Sequence, residues 1–185
     1  FLRDLSEESA FEHYDMARPY FDRIAGIGLD SDERDNPPKK FERVFKQAKQ
    51  DGFKITMHCD IDQDGSIQHI HDVLKVIQAD RIDHGTNIVE DPSLVEYVKE
   101  QGIGLTCCPV SNSFVTDDMK AKEIKELLHQ GVRVTVNSDD PAYFGSYISD
   151  DLNALTEKVN LTKEDVVQLV KNAFENAWIS HEDRQ

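Results

Sequence analysis

Five short apolar segments alternate with helical segments along this chain, and this alternation limits the fold more than any other feature. In the helical segments apolar residues recur at the i, i+3, i+4, i+7 spacing of an amphipathic helix. Strands that alternate with helices predict a parallel β/α architecture built from right-handed crossovers. The predicted strands are residues 24–29, 54–57, 81–83, 103–106 and 132–136. The predicted helices are 6–22, 38–50, 66–78, the segment between Asp91 and Gly102, 120–130, and a last helix through Phe174.

Several helix starts can be predicted from capping residues. Ser6 is placed to cap the first helix, and Asp91 followed by Pro92 is typical of a helix start. Thr162 and Asp165 have the spacing of a capping box for the last helix.

Two parallel architectures are compatible with this pattern. A Rossmann-like sheet would be expected to carry a G-x-G-x-x-G loop between a strand and a helix, and the sequence has none. A (β/α)8 barrel needs about 250 residues, whereas this chain has 185. Polar residues follow all five strands, and a barrel gathers every strand end around one pocket. We therefore expect residues 1–185 to form a single domain that is the C-terminal part of a TIM-type barrel.

Ionisable side chains follow the strands at their C-terminal ends, where parallel β/α proteins bind ligands. Asp139 and Asp140 follow the fifth strand, and His58 and His84 follow the second and third. Imidazole and carboxylate groups bind zinc, and neighbouring groups activate its water. The residue types suggest a zinc hydrolase. The alternatives are that the histidines are structural and that the aspartates cap the next helix.

The other cysteines and histidines give weaker signals. Cys59, beside His58, could belong to a cysteine–histidine zinc site, but no C-x-x-C spacing accompanies it. Three histidines fall within predicted helices and are interpreted as surface or packing residues: His69, His71 and His129.

Composition bears on partners and location. The 36 acidic and 21 basic side chains give a net charge of −15, which would repel nucleic acid and anionic membranes. The sequence has no apolar run long enough to cross a bilayer and does not open like a secretory signal. Three cysteines are too few and odd in number for a disulfide framework. We expect a soluble, cytoplasmic protein with reduced thiols, and neither nucleic acid nor a membrane as a partner.

Three motifs carry a family resemblance: Arg81–Gly85 (RIDHG), Cys108–Asn112 (CPVSN) and Val134–Phe144 (VTVNSDDPAYF). They resemble the adenosine/adenine deaminase family of the amidohydrolase superfamily, and its adenine deaminase-like branch in particular. The likeness extends from about Ile24 to Phe174 in the same order and spacing. It implies a (β/α)8 barrel with one zinc ion that deaminates an aminopurine by hydrolysis.

The resemblance implies roles for the residues at the metal. His58 would be a histidine ligand of zinc and Asp139 its carboxylate ligand. His84 would orient the attacking water and take its proton. Bound zinc lowers the pKa of water to about 7, which makes hydroxide available at neutral pH to attack C6 of the ring, after which ammonia leaves.

The resemblance also implies contacts with the purine. Asp140 would hydrogen-bond N7 and help to hold the attacking hydroxide. Backbone groups around Asp30 and Ser31 would meet the opposite edge of the ring. These residues would make the site specific for a small-molecule purine.

Two departures from the family pattern affect this reading. The family has two further zinc ligands in an H-x-H motif on its first strand, and none of the predicted strands here carries that motif. The family also has a glutamate after its fifth strand that gives a proton to N1, where this chain has Ile61. Asp60 or Asp62 could supply the carboxylate from an adjacent position, or both could be ordinary loop residues. We expect a missing N-terminal half-barrel to complete the site.

Two hypotheses about function follow. The first is zinc-dependent deamination of adenine to hypoxanthine and ammonia, with adenosine or another aminopurine as the alternative substrate. The second is a catalytically impaired half-barrel that binds a partner, because an incomplete barrel exposes unpaired strand edges. We expect the segment alone to be inactive, and pairing with an N-terminal half-barrel or with a second copy would cover those edges.

Overall fold

The computed structural model describes residues 1–59, 64–180 and 182–184. The chain divides into two compact units, Phe1–Asp83 and His84–Gln185. Each unit is built from strands followed by helices, as the sequence pattern predicts. Asp60, Ile61 and Asp62 lie outside the described residues, so the assignment of a proton donor there stays a prediction. The single-domain assignment also stays a prediction.

Among its described residues, unit 1 has three α-helices and the first strands. The helices are α1 (Glu7–Ala17), α2 (Glu42–Gln50) and α3 (Ser66–His71), and the strands are β1 (Gly26–Leu29), β2 (Lys54–Cys59) and the first three residues of β3 (Arg81–His84). Strands β1 and β2 are parallel, with Gly26 opposite Lys54 and Leu29 opposite Met57. Their C-terminal ends therefore lie at one edge, where His58 follows Met57.

The core of unit 1 forms against α2. The apolar spacing predicted for this helix is confirmed, since all four of its members are fully buried: Phe41, Val44, Phe45 and Ala48. Burying one such phenylalanine side chain stabilises the fold by about 1.5–3 kcal/mol relative to exposure. Aromatic rings extend this core, with the Phe21 and Phe53 centroids 4.7 Å apart in an edge-to-face arrangement.

Two helices of unit 1 are shorter than their apolar pattern predicts. The predicted helix 6–22 changes at Ala17 into a 3-10 segment, Arg18–Arg23. Pro19 explains the change, because proline lacks the N–H that an α-helical hydrogen bond needs. The predicted helix 66–78 changes after His71 into a π-helical turn, Asp72–Ile77, for which we have no physical account.

Unit 2 begins at His84, the last residue of β3, and contains strands β4 (Gly104–Cys107) and β5 (Arg133–Val136). The two strands are parallel, with Thr106 opposite Thr135. In the described part of unit 2, six α-helices accompany them: α4 (Pro92–Gln101), α5 (Pro109–Thr116), α6 (Ala121–His129), α7 (Pro141–Phe144), α8 (Ile148–Val159) and α9 (Lys163–Asn176).

Helices α5, α7 and α8 are absent from the sequence predictions. Helix α5 begins at Pro109, inside the CPVSN motif that follows the fourth strand. Helix α8 carries a detectable signal, since Ile148, Leu152 and Leu155 have helical spacing.

Helix α9 packs on β5 through polar as well as apolar contacts. The predicted capping box is confirmed, since the Asp165 N–H donates to Thr162 Oγ1 at 3.1 Å and the Thr162 N–H to Asp165 Oδ2 at 2.9 Å. The buried face carries Leu169 and Asn172, whose side chain donates to the Val134 carbonyl at 2.8 Å. Phe174, through which the last helix was predicted to run, is 55% exposed. Among the described residues, no helix combines the length and apolar character needed to span a membrane.

Candidate active site

His84 occupies the C-terminal end of β3 in a buried environment. Its side chain is almost fully enclosed, and its backbone has φ 63°, followed by Gly85 with φ 66°. A left-handed backbone is rare for residues other than glycine and commonly marks a functional position. The strand therefore ends in a turn that fixes the direction of the imidazole.

Asn112, on α5, holds the His84 ring from one side. Its Oδ1 lies 2.9 Å from His84 Nδ1, and both residues are buried. The amide oxygen can accept a hydrogen bond only if Nδ1 carries the proton, which makes Nε2 the nitrogen able to accept one. Asn112 Nδ2 is buried without a hydrogen-bond partner in the described part of the chain.

Asp139 follows β5 and lies beside the same imidazole. Its carboxylate Oδ2 is 3.8 Å from His84 Nε2 and accepts a 2.7 Å hydrogen bond from the Ser111 hydroxyl. Its backbone is also left-handed, with φ 56°. Adjacent residues of α5 thus hold both groups, Asn112 the imidazole and Ser111 the carboxylate.

Three ligand types converge at this point of unit 2. One possible ligand atom from each of His84, Cys108 and Asp139 lies within 4.8 Å of the others. Nitrogen, sulfur and carboxylate oxygen are the donors that zinc takes in proteins, so the residues fit such an ion. Cys108 was not among the zinc ligands predicted from the sequence. Burial raises the pKa of the neighbouring Cys107 thiol to about 12, so this thiol stays protonated at neutral pH.

Asp140 has a different environment from Asp139. It precedes α7 at the N-cap position, but its side chain makes no capping hydrogen bond. The alternative that the paired aspartates cap the next helix is therefore wrong for the Asp140 side chain. Asp140 is exposed at the surface of unit 2.

His58 lies near the end of β2 in unit 1, with about a quarter of its side chain exposed. Its Nδ1 is in close contact with Glu33 Oε1. Burial lowers the pKa of His58, but the hydrogen bond and negative charge of Glu33 outweigh burial and raise it above its ordinary value. Arg3, fully buried, donates to the His58 carbonyl at 2.7 Å.

Asp30 and Ser31 lie directly after β1 and are exposed. The Asp30 N–H donates to the Phe1 carbonyl at 2.9 Å, and the Ser31 N–H to Asp30 Oδ1 at 2.7 Å. Ser31 has a left-handed backbone with φ 89°. Both N–H groups around the predicted purine contact therefore have partners within unit 1, and the purine contact stays a prediction.

The three histidines interpreted from the sequence as surface or packing residues lie on helices: His69, His71 and His129. His69 and His71 have the spacing of an H-x-H motif, but both lie on α3 rather than on a strand. Residues two apart on a helix point in different directions. His129, on α6, lies 2.9 Å from Asp165 Oδ1 on the exposed surface.

Four residues around the candidate ligands were missed as site residues by the sequence analysis. Ser111 and Asn112 lie inside the CPVSN motif, and Glu33 lies in the acidic segment after β1. Polar residues that follow a strand are candidate site residues, so the sequence contained a signal for these three. Arg3 gave no such signal, because its importance comes from burial. The structure describes the surroundings of His58 in unit 1 and those of His84 and Asp139 in unit 2. The pairing of His58 with Asp139 as zinc ligands remains a prediction.

Known proteins resemble this chain over its whole length. The family model for adenosine deaminase matches residues 2–185. An uncharacterised deaminase of Schizosaccharomyces pombe is 45% identical over 185 residues, covering 100% of this chain and 55% of that protein. The adenine deaminase of Zymomonas mobilis is 45% identical over 181 residues, covering 97% of this chain and 53% of that protein. The chain thus spans about half the length of these curated relatives and corresponds to their C-terminal part.

Solved structures give the same result for the fold. The adenine deaminase of Arthrobacter aurescens matches with a TM-score of 0.90 at 36% identity, covering 100% of this chain and 56% of that chain. An amidohydrolase of Burkholderia ambifaria with bound zinc matches with a TM-score of 0.88 at 25% identity, covering 100% and 52%. The predicted fold class, the C-terminal part of a TIM-type barrel with five parallel strands, is confirmed. Since the family model covers residues 2–185, this chain belongs to the adenosine deaminase family.

Proposed function

We propose that the native protein containing this chain is a zinc-dependent hydrolase that deaminates adenine to hypoxanthine and ammonia. The observation that carries the proposal is the buried imidazole of His84, held by Asn112 beside the carboxylate of Asp139. This arrangement places a possible base beside a carboxylate that could hold a metal ion. Family membership supports the reaction class.

His84 is proposed as the group that takes the proton of the attacking water. Because Asn112 accepts from Nδ1–H, the opposite nitrogen, Nε2, is the one that can accept a proton, and it points toward Asp139 at 3.8 Å. Burial keeps bulk water from competing for this nitrogen. A positioned base of this kind contributes roughly 10²–10⁴-fold to a rate.

His58 and Asp139 are proposed as zinc ligands, and Cys108 lies near Asp139 as a further donor. Bound zinc would lower the pKa of water and so make hydroxide available near neutral pH. The relative from Burkholderia ambifaria with bound zinc supports the choice of metal. Asp60 or Asp62 is proposed to deliver the proton to N1 in place of the family glutamate.

Adenine is proposed as the substrate, with adenosine as the alternative. Two of the relatives described above are named adenine deaminases. A carboxylate can accept a hydrogen bond from the N7–H tautomer of free adenine, which adenosine cannot form because its N9 is substituted. Asp140, whose side chain is exposed and makes no capping hydrogen bond, is proposed to make this contact. Backbone groups around Asp30 and Ser31 are proposed to contact the other edge of the ring.

Zinc content and substrate turnover in the native protein test this proposal. We expect about one zinc per chain, lost in His58→Ala and in Asp139→Ala because a ligand is removed. His129→Ala removes an exposed histidine of α6 and should keep its zinc. Unchanged zinc in both ligand variants would show that the metal assignment is wrong.

The substrate is tested by following the ultraviolet change of adenine, adenosine and related aminopurines. We expect the highest kcat/KM for adenine, with a fall in Asp60→Asn or Asp62→Asn if that residue delivers the proton. A higher kcat/KM for adenosine would favour the alternative substrate. Zinc binding without turnover of any aminopurine would contradict the proposed reaction.

A further inference from the structure

A fully buried arginine organises the surroundings of His58. Arg3 donates from Nε and Nη2 to the carbonyl of Asn36, at 3.0 and 2.8 Å, and from Nη1 to the carbonyl of His58 at 2.7 Å. Its Nη1 also lies 3.5 Å from Glu33 Oε1. One guanidinium therefore connects the loop after β1, which carries Glu33, with the C-terminal end of β2.

Glu33 is the group through which this arrangement reaches the imidazole. Only 8% of its side chain is exposed, and a buried carboxylate needs a positive or hydrogen-bonded partner. Arg3 supplies the positive charge, and the same oxygen, Oε1, contacts His58 Nδ1. A carboxylate only accepts, so Nδ1 must carry a proton in this contact.

We infer that Glu33 is a positioning residue that fixes the tautomer and direction of the His58 ring, and that Arg3 holds Glu33 in place for this purpose. In this tautomer Nε2 is the unprotonated ring nitrogen, the one that could bind zinc. A carboxylate partner also makes the other ring nitrogen a stronger donor to a metal. The inference rests on the proposed role of His58 as a zinc ligand.

The neighbouring acid provides a matched control within the same loop. Asp32 is exposed and pairs with Arg34, whose Nη2 lies 2.7 Å from Asp32 Oδ2. It carries the same charge as Glu33 one position earlier but makes its salt bridge at the surface. Removing the charge of Glu33 affects the contact with His58, whereas removing that of Asp32 changes only the charge of the loop. Comparing the two variants separates these effects.

The first experiment measures the zinc affinity of the native protein by competition with a chelator. We expect Glu33→Gln to weaken zinc binding by roughly 10–100-fold, the effect typical of an outer-shell partner, while Asp32→Asn binds zinc like the wild type. Wild-type affinity in a folded Glu33→Gln protein would overturn the inference. Folding of both variants is checked by circular dichroism.

The second experiment needs no variant and no metal. Nitrogen-15 chemical shifts of the His58 ring, recorded in the zinc-free native protein at a pH where the ring is neutral, report which nitrogen carries the proton. Protonation at Nδ1 supports the role of Glu33, and protonation at Nε2 overturns it. This readout stays valid if the protein deaminates no purine or keeps its zinc in His58→Ala, so failure of the proposed function can be distinguished from failure of this inference.

Discussion

Ser31, His84 and Asp139 share a left-handed backbone at the exits of three strands, with φ values of 89°, 63° and 56°. Such conformations cost of order 1–3 kcal/mol for residues other than glycine and persist only where neighbouring contacts enforce them. The side chains of two of these residues are held by hydrogen bonds, His84 by Asn112 and Asp139 by Ser111. One side chain of α5 therefore fixes the orientation of each of these two groups.

Asn112→Leu should change the protonation of the His84 ring. Leucine removes the acceptor of Nδ1–H, and leaving this buried donor without a partner costs about 1–3 kcal/mol of stability. We expect nitrogen-15 spectra to show a shift toward the Nε2–H tautomer and chemical unfolding to show the loss of stability. Ser113→Ala, which removes a hydroxyl bonded to the Val110 carbonyl on the same helix, should leave the tautomer unchanged. An unaltered His84 tautomer in Asn112→Leu would contradict this account.

At the scale of elements, the packing of α9 on β5 and β4 shows how polar side chains can set the distance between a helix and a sheet. Asn176 donates to the Arg133 carbonyl at 2.9 Å and lies directly against Gly104 of β4. A Cβ atom at Gly104 would be 2.1 Å from Asn176 Nδ2. A side chain at position 104 would therefore require Asn176 to move.

Gly104→Ala should therefore destabilise unit 2. The added methyl forces Asn176 away from the Arg133 carbonyl, and overpacking of this kind costs typically about 1–3 kcal/mol. In an Asn176→Ala background the same substitution should cost less, giving a coupling energy of about 0.5–3 kcal/mol between the two positions. Urea unfolding of the four proteins in this double-mutant cycle measures the coupling. Strict additivity would show that the contact does not limit position 104.

Helix starts could be predicted from residues close in the sequence, whereas the buried face of a helix could not. The capping roles of Ser6, Asp91 and Thr162 were predicted and are confirmed, because each side chain bonds a backbone N–H two or three residues later. The exposed side of α9 was not predicted, because Val170 and Phe174 are four residues apart, as on one apolar helix face, yet both are exposed. Apolar spacing identifies a helix, whereas the buried face depends on what packs against it.

At the scale of the whole molecule, the excess of acidic groups makes stability sensitive to low pH. Hydrogen bonds from the Arg34 guanidinium lower the pKa of Asp32 to about 2. The hydroxyl of Tyr14 lowers the pKa of Asp51, and the backbone N–H of Thr162 lowers that of Asp165. Because these pKa values are lower in the folded protein than in the unfolded chain, their stabilisation is present above the unfolded value of about 3.9 and is lost as pH falls through the folded values.

The Tyr14–Asp51 pair gives a direct test of this pH dependence. The buried Tyr14 hydroxyl donates to Asp51 Oδ2 at 2.7 Å. We expect Asp51→Ala to lower the urea midpoint at about pH 6, with a difference from the wild type that shrinks in acid as pH falls through the lowered pKa of the Asp51 carboxyl. Asp22→Ala removes another exposed carboxyl of unit 1 as a control. A difference that does not shrink in acid would show that Asp51 acts through something other than its charge.

The sequence by itself determined the alternation of strands and helices, the main capping residues, and the polar residues at the strand exits. These features follow from local periodicity and local hydrogen bonding, and three motifs were sufficient to predict the family. Only the tertiary structure decided which side chains form hydrogen bonds with the residues at the strand ends. Asn112 is 28 residues from its partner His84, and Arg3 is 55 residues from His58. Contacts of this length depend on how the chain folds back on itself, and no pattern of neighbouring residues encodes them.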